Sequence, residues 1–121
     1  VCDRAVLHIA QCWPQLTHLR ACNTSLSDRT LLLLAQFCPQ LTHFDASFCS
    51  AMTDMGFITL ANHCHKLVWL DMQSNQVTDG VLYVLADHCK QLEYVNIANT
   101  CVTYECIQMI AERCPKLIID F

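Results

Sequence analysis

Leu67-Val68-Trp69-Leu70-Asp71-Met72-Gln73-Ser74-Asn75 is one of four versions of a single nine-residue phrase in this chain. The others are Leu16-Thr17-His18-Leu19-Arg20-Ala21-Cys22-Asn23-Thr24, Leu41-Thr42-His43-Phe44-Asp45-Ala46-Ser47-Phe48-Cys49 and Leu92-Glu93-Tyr94-Val95-Asn96-Ile97-Ala98-Asn99-Thr100. Leu117 opens a fifth, so the opening leucines stand 25, 26, 25 and 25 residues apart. Apolar or small residues hold the fourth and sixth places of each phrase. Aromatic and polar residues hold the third and fifth. Such alternation is the period of a strand with one buried face. A phrase returning at near-constant spacing marks one structural unit used repeatedly, each copy too small to bury its apolar face alone.

The pattern L-x-x-L-x-L-x-x-N/C is the leucine-rich-repeat signature. Each copy leads into a helix with the same start. Ser27, Thr53, Thr78 and Thr103 stand where an N-cap hydroxyl accepts from a first-turn amide. Asp28, Asp54 and Asp79 follow and place negative charge at the positive helix end, while Tyr104 breaks that row. Leu26 with Leu31, Met52 with Phe57, Val77 with Leu82 and Val102 with Ile107 have the spacing of a hydrophobic staple. An unbroken alanine row (Ala10, Ala35, Ala61, Ala86, Ala111) marks where helix and sheet backbones approach closely. The register extends back to Val1, Cys2, Asp3 and Val6, a half-repeat before Leu16.

These features predict an α/β leucine-rich-repeat solenoid, curved, with parallel strands on the concave face and helices on the convex face. Residues 1–121 form a single domain of about five units, each 25–26 residues long. Because the chain opens on Val1 inside a half-repeat, it is expected to be a piece of a longer array.

Composition narrows the function. Seven Lys and Arg against 11 Asp and Glu leave a net charge of -4, the wrong sign for holding nucleic-acid phosphates. No apolar run approaches the roughly 20 residues that span a bilayer. Glycine-rich phosphate loops, H-E-x-x-H and G-x-S-x-G are absent from the sequence. A non-enzymatic protein without cofactor is expected, binding neither nucleic acid nor membrane.

Ten cysteines accompany only two glycines and three prolines, unlike a loop-rich disulfide scaffold. Cys38, Cys64, Cys89 and Cys114 recur at one slot, with Trp13 in their place in the first unit. Helices pack roughly 8–10 Å apart, beyond the reach of about 7 Å between Cα atoms that a disulfide allows. Small buried thiols packing the corner between helix and strand are therefore expected. Cys49 takes the Asn/Cys slot, where a side chain satisfies loop backbone. The competing reading is a zinc- or redox-responsive protein using His63, Cys64, His65, His88 and Cys89. Phe37 and Arg113 share the row of His63 and His88, which argues against a ligand row.

Cys38-Pro39-Gln40-Leu41 and Cys114-Pro115-Lys116-Leu117, with a (V/L/M)-(S/T)-D helix start and an A-x-x-C helix end, resemble the cysteine-containing repeats of F-box/leucine-rich-repeat proteins. The resemblance covers essentially the whole chain, although an F-box is absent from it and Asp120 stands where an apolar residue is expected. It implies an intracellular protein, cytoplasmic or nuclear. Its repeats would serve as the substrate-binding horseshoe of an SCF-type ubiquitin-ligase receptor. A scaffold or inhibitor without a ligase role is the alternative on the same fold.

A partner would meet the outward strand residues. The third places read His18, His43, Trp69, Tyr94 and the fifth places Arg20, Asp45, Asp71, Asn96, with Phe48 at a strand exit. Large aromatics beside carboxylates are typical of interface hot spots. This face is expected to bind a protein or peptide segment, with Asp45 and Asp71 suited to a basic one.

Overall fold

The computed structural model describes residues 2–121, and the slot assigned to Val1 lies outside them. Helices and strands alternate strictly: α1 (Asp3–Cys12), β1 (His18–Arg20), α2 (Asp28–Phe37), β2 (His43–Asp45), α3 (Asp54–His63), β3 (Trp69–Asp71), α4 (Asp79–His88), β4 (Tyr94–Asn96), α5 (Tyr104–Arg113) and β5 (Ile118–Asp120). The five strands form one parallel sheet in chain order. His18 pairs with His43, His43 with Trp69, Trp69 with Tyr94, and Tyr94 with Ile118. No helix among the described residues is long and apolar enough to cross a membrane.

Burial follows the two periods read from the sequence. Leu31, Leu34, Phe57, Leu60, Leu82, Leu85 and Ile110 on the helices pack over Leu41, Phe44, Leu67, Leu70 and Val95, all essentially solvent-free. Leu26, Met52 and Val77 are buried with their staple counterparts, fixing the chain's entry into each helix.

The helix starts work differently from expectation. Ser27 and Thr103 do accept from the amides of Arg29 and Cys106. Thr53 and Thr78 make no such cap. Their hydroxyls and backbone amides instead donate to a carboxylate one unit earlier. The Thr53 amide bonds Asp28 Oδ1 at 2.7 Å and its hydroxyl bonds Oδ2 at 2.5 Å. Asp54 holds Thr78 and Asp79 holds Thr103 in the same way. Asp3 begins the series, accepting from Ser27 and from the buried Thr30 hydroxyl. The aspartate row is thus a clasp between successive units as well as a charge at the helix dipole.

The cysteine slot is the C-cap of each helix, and all ten cysteines are free thiols. Cys64 Sγ donates to the carbonyls of Leu34 and Cys38, and Cys89 Sγ to those of Ala61 and Cys64. The thiol is a weak donor that adds a second, inter-unit bond to carbonyls at the end of the preceding helix. Burial pushes the thiol of Cys64 up to about 12 and that of Cys89 up to about 11, so both stay protonated at neutral pH.

The two ends depart from the buried pattern. Trp13 occupies its slot with 60% of its surface exposed. Ala111 is exposed and Cys114 half-buried, because among the described residues no helix packs over the outer side of α5.

Gly56 shows how tightly α2 and α3 meet. A Cβ there would lie 2.4 Å from Asp28 Oδ1 and 2.5 Å from Leu31 Cδ1. Asp28 is held by Thr53 and Leu31 is buried, so neither can yield easily. Gly56→Ala should therefore destabilise the fold by about 1–3 kcal/mol through overpacking. At Gly80 nothing lies within 4 Å of the added carbon. Gly80→Ala should stabilise by about 0.5–1 kcal/mol, since alanine loses less backbone entropy in a helix. Urea midpoints moving in the same direction would contradict this account of Gly56.

Candidate functional site

Each strand is only three residues long, yet parallel pairing continues past it. The amides of Ala21, Ala46, Met72 and Ile97 donate to Asp45, Asp71, Asn96 and Asp120 carbonyls in the neighbouring strand. The next turn is sharp: the eighth residue of every phrase is left-handed, with φ of 56° at Asn23, 58° at Phe48, 59° at Ser74 and 55° at Asn99. The ninth side chain then closes the turn. Thr24, Cys49, Asn75 and Thr100 donate to the carbonyls of Ala21, Ala21, Ala46 and Ile97 respectively. Cys49 fills this role through a thiol at 3.0 Å, as its slot predicted.

Asparagine suits the left-handed position, whereas phenylalanine pays a steric cost there. Phe48 is nevertheless held in it, 52% exposed, at the rim of the concave sheet. Phe48→Asn should raise stability by about 1 kcal/mol, read as a higher urea midpoint. An unchanged or lower midpoint would show that the ring makes contacts worth the strain.

On the sheet itself, the expected aromatic stripe is two stacked pairs. His18 and His43 lie 4.1 Å apart at 8°, each ring nitrogen Nδ1 held at 2.9 Å by the hydroxyl of the preceding threonine. Trp69 and Tyr94 lie 5.3 Å apart at 11°. Trp69 and Tyr94 are half-buried, each covering the other, where open exposure was expected. A cleft of about 440 Å³ opens beside the histidine pair, lined by His18, Leu19, Arg20, His43, Asp45 and Trp69.

The fifth-place row needs a larger correction. Asp45 and Asn96 lie on the concave side but are largely buried and tied up in hydrogen bonds rather than free. Asp45 Oδ1 accepts from the Ser47 amide and hydroxyl, Asp71 Oδ1 from the Gln73 amide, and Asn96 Oδ1 from the Ala98 amide. Each side chain ties down its own strand exit in an Asx turn, a role that asparagine and aspartate share. Arg20 has no such role. Its Nε lies 3.6 Å from Asp45 Oδ2 on a side chain that is 82% exposed, a contact worth little.

One residue of this face was misplaced by sequence spacing. Leu117 opens its phrase on time, but Ile118 pairs with Tyr94 and Asp120 with Asn96. The last unit therefore lacks one residue after Leu117, and Asp120 falls in the outward fifth-place row instead of a core slot. The Tyr94 hydroxyl donates to Asp120 Oδ2 at 3.1 Å. Reading Ile118 and Asp120 as the ends of a strand, with one position skipped, would have found it.

Burial raises the Asp71 carboxyl above the ordinary carboxylate range. The Gln73 amide opposes this, while the negative charges of Asp45 and Asp120 add to it. Burial and the bond to Asp120 likewise raise the Tyr94 phenol. A positive group brought to this row would relieve the repulsion.

The residues of the competing metal reading are not brought together. His63 Nδ1 lies 2.9 Å from the Thr59 carbonyl and His65 Nε2 2.6 Å from that of Asn62. His65 stacks loosely with His88, and Cys64 and Cys89 face the core. Among the described residues, no three His, Cys, Asp or Glu side chains are grouped to hold a metal ion.

Solved structures share this architecture. The leiomodin-1 actin-binding site 2 matches with a TM-score of 0.72 at 15% identity, over 97% of this chain and 78% of that one. The fold is a curved α/β repeat solenoid. A Chaetomium Mex67:Mtr2 subunit structure matches the solenoid with a TM-score of 0.68 at 15% identity, over 97% of this chain and 89% of that one. At such identity the likeness concerns the fold alone. No family model and no curated protein sequence matches the solenoid.

Proposed function

We propose that the concave sheet is a protein-recognition face and that its partner presents a basic segment. The observation that carries this is the stacked Trp69–Tyr94 pair beside Asp71, whose carboxyl is raised by burial and by its acidic neighbours. The stack is a rigid apolar platform, and a lysine or arginine laid along it meets the carboxylates of Asp71 and Asp120. His18, Arg20, His43, Asp45, Phe48 and Asn96 border the same surface. The two solved neighbours are an actin-binding site and a structure of paired subunits, which is in keeping with a protein-contact role.

The finer reading is that these repeats are the substrate-binding part of an SCF-type ubiquitin-ligase receptor, without catalysis or cofactor of their own. The Cys-Pro-x-Leu phrases at Cys38 and Cys114 support it through their resemblance to F-box/leucine-rich-repeat proteins. Ten free thiols suit a reducing compartment, cytoplasmic or nuclear.

The test begins with a partner captured on the immobilised chain. Trp69→Ala should weaken that partner by about 2 kcal/mol or more. Asp71→Asn keeps the acceptor that Asn96 shows to be sufficient for the turn, so it should fold normally and still weaken a basic partner. Its effect should grow at low salt. Full binding by both variants would move the site off the concave sheet. The ligase reading has its own readout: the chain, which carries no F-box, should compete with the full receptor for the captured partner and lower its ubiquitylation when expressed in cells. Unchanged ubiquitylation would remove that reading and leave the recognition face standing.

A further inference from the structure

We infer that the groove between the C-terminal ends of α4 and α5 is a second recognition site, one that takes an acidic peptide segment through an apolar side chain. The groove has a volume of about 410 Å³. Its floor is apolar, formed by Leu85, Ala86, Cys89, Leu92 and Leu117, and Lys90, Arg113 and Lys116 stand around it. A broader depression adjoins it and shares Lys90, Leu92 and Lys116. None of these residues belongs to the concave face.

The groove exists because α5 sits less tightly on α4 than α4 sits on α3. Ala86, Cys89 and Ile107 keep some exposure, whereas Ala61 and Cys64 keep none. Elsewhere the thiol ladder knits such corners shut, with Cys64 and Cys89 donating to carbonyls of the preceding unit. Cys114, next in the ladder, is half-buried and lines the groove.

Charge decides the occupant. Only seven residues of this acidic chain are Lys or Arg, and three of them surround one groove. Arg113 is paired with Asp87. Lys90 donates to the Ala86 carbonyl at 3.1 Å, and Glu93 lines the adjoining depression. Lys90 and Lys116 make no ion pair among the described residues. Two unpaired ammonium groups beside apolar surface match carboxylates flanking an apolar anchor. The groove is open to solvent along one side, whereas a small amphiphile such as a fatty acid needs about 70–90% of its surface covered. A peptide, which buries one side chain and leaves its backbone in water, fits that shape.

The probe is a capped heptapeptide of glutamates around one central leucine, titrated into the isotope-labelled full chain and followed by amide NMR shifts. A control peptide carries lysines in place of the glutamates. The amides of Leu92, Cys114 and Lys116 should shift with the acidic peptide and stay still with the basic one. The Lys90→Glu/Lys116→Glu variant, checked for native fold by circular dichroism, should bind about tenfold or more weakly. Trp69→Ala should bind the acidic peptide as the wild type does, which separates this site from the concave face. Absence of shifts at millimolar peptide, equal affinity in the double variant, or the same shifts with the basic peptide would each overturn the proposal.

Discussion

Leu85→Ala should lower the urea midpoint of the solenoid sharply, by about 2–5 kcal/mol of stability. Leu85 is fully buried on the inner face of α4, between the platform of β3–β4 and the neighbouring helices. Its carbonyl also accepts the amide of Cys89, which caps the helix. Truncation removes the γ-methine and both methyl carbons from a site inside the continuous buried core. Its walls cannot close in together without disturbing the parallel register of the sheet. A domain of this size has about 5–15 kcal/mol in all, so the loss is a large share. A midpoint that does not move would mean that α4 is rotated and that Leu85 faces solvent.

Asp28→Ala should cost about 3 kcal/mol, more than an ordinary surface substitution by a wide margin. The carboxylate satisfies both the amide and the hydroxyl of Thr53 at the start of the next helix. Hydrogen bonds to charged groups are worth about 1.5–3 kcal/mol each, and losing the acceptor leaves the part-buried Thr53 amide unpaired. The same clasp at Asp3 gives a dependence on pH. Burial works against ionisation there, but the bonds from Thr30 and Ser27 outweigh it and hold the carboxyl below its ordinary range. A carboxyl depressed in this way contributes stability above its unfolded pKa of about 4 and loses it as pH falls through the lower folded value. Thermal unfolding of wild type and Asp3→Ala should therefore converge in acid. A constant gap across that window would show that Asp3 acts by packing rather than by charge.

The repeat period, the alternation in each phrase and the apolar spacing of each helix were all legible, because burial in a solenoid repeats whenever the sequence does. The cysteine ladder was legible for the same reason: one slot meets the same corner in every unit. The partners of the aspartate row were not, since Asp28 and Thr53 lie 25 residues apart and only stacking brings the helix starts side by side. Side chains at the fifth place of a phrase look alike in a strand pattern. Which of them turns back to tie its own strand exit, as Asp45, Asp71 and Asn96 do, depends on the sharp left-handed turn three residues later.

Ring stacking across neighbouring strands separated the aromatic row into His18–His43 and Trp69–Tyr94, a division that no spacing in the chain encodes. Local sequence alone determined that this chain is an α/β repeat solenoid, since hydrophobic periodicity and helix starts are properties of residues near one another. Tertiary structure decided where its charges and grooves lie. A single residue missing after Leu117 carries Asp120 from the core row to the acidic face, and the looser seat of α5 opens a basic groove that the tighter units close. Both depend on how one unit rests on the next, which packing sets and local sequence does not.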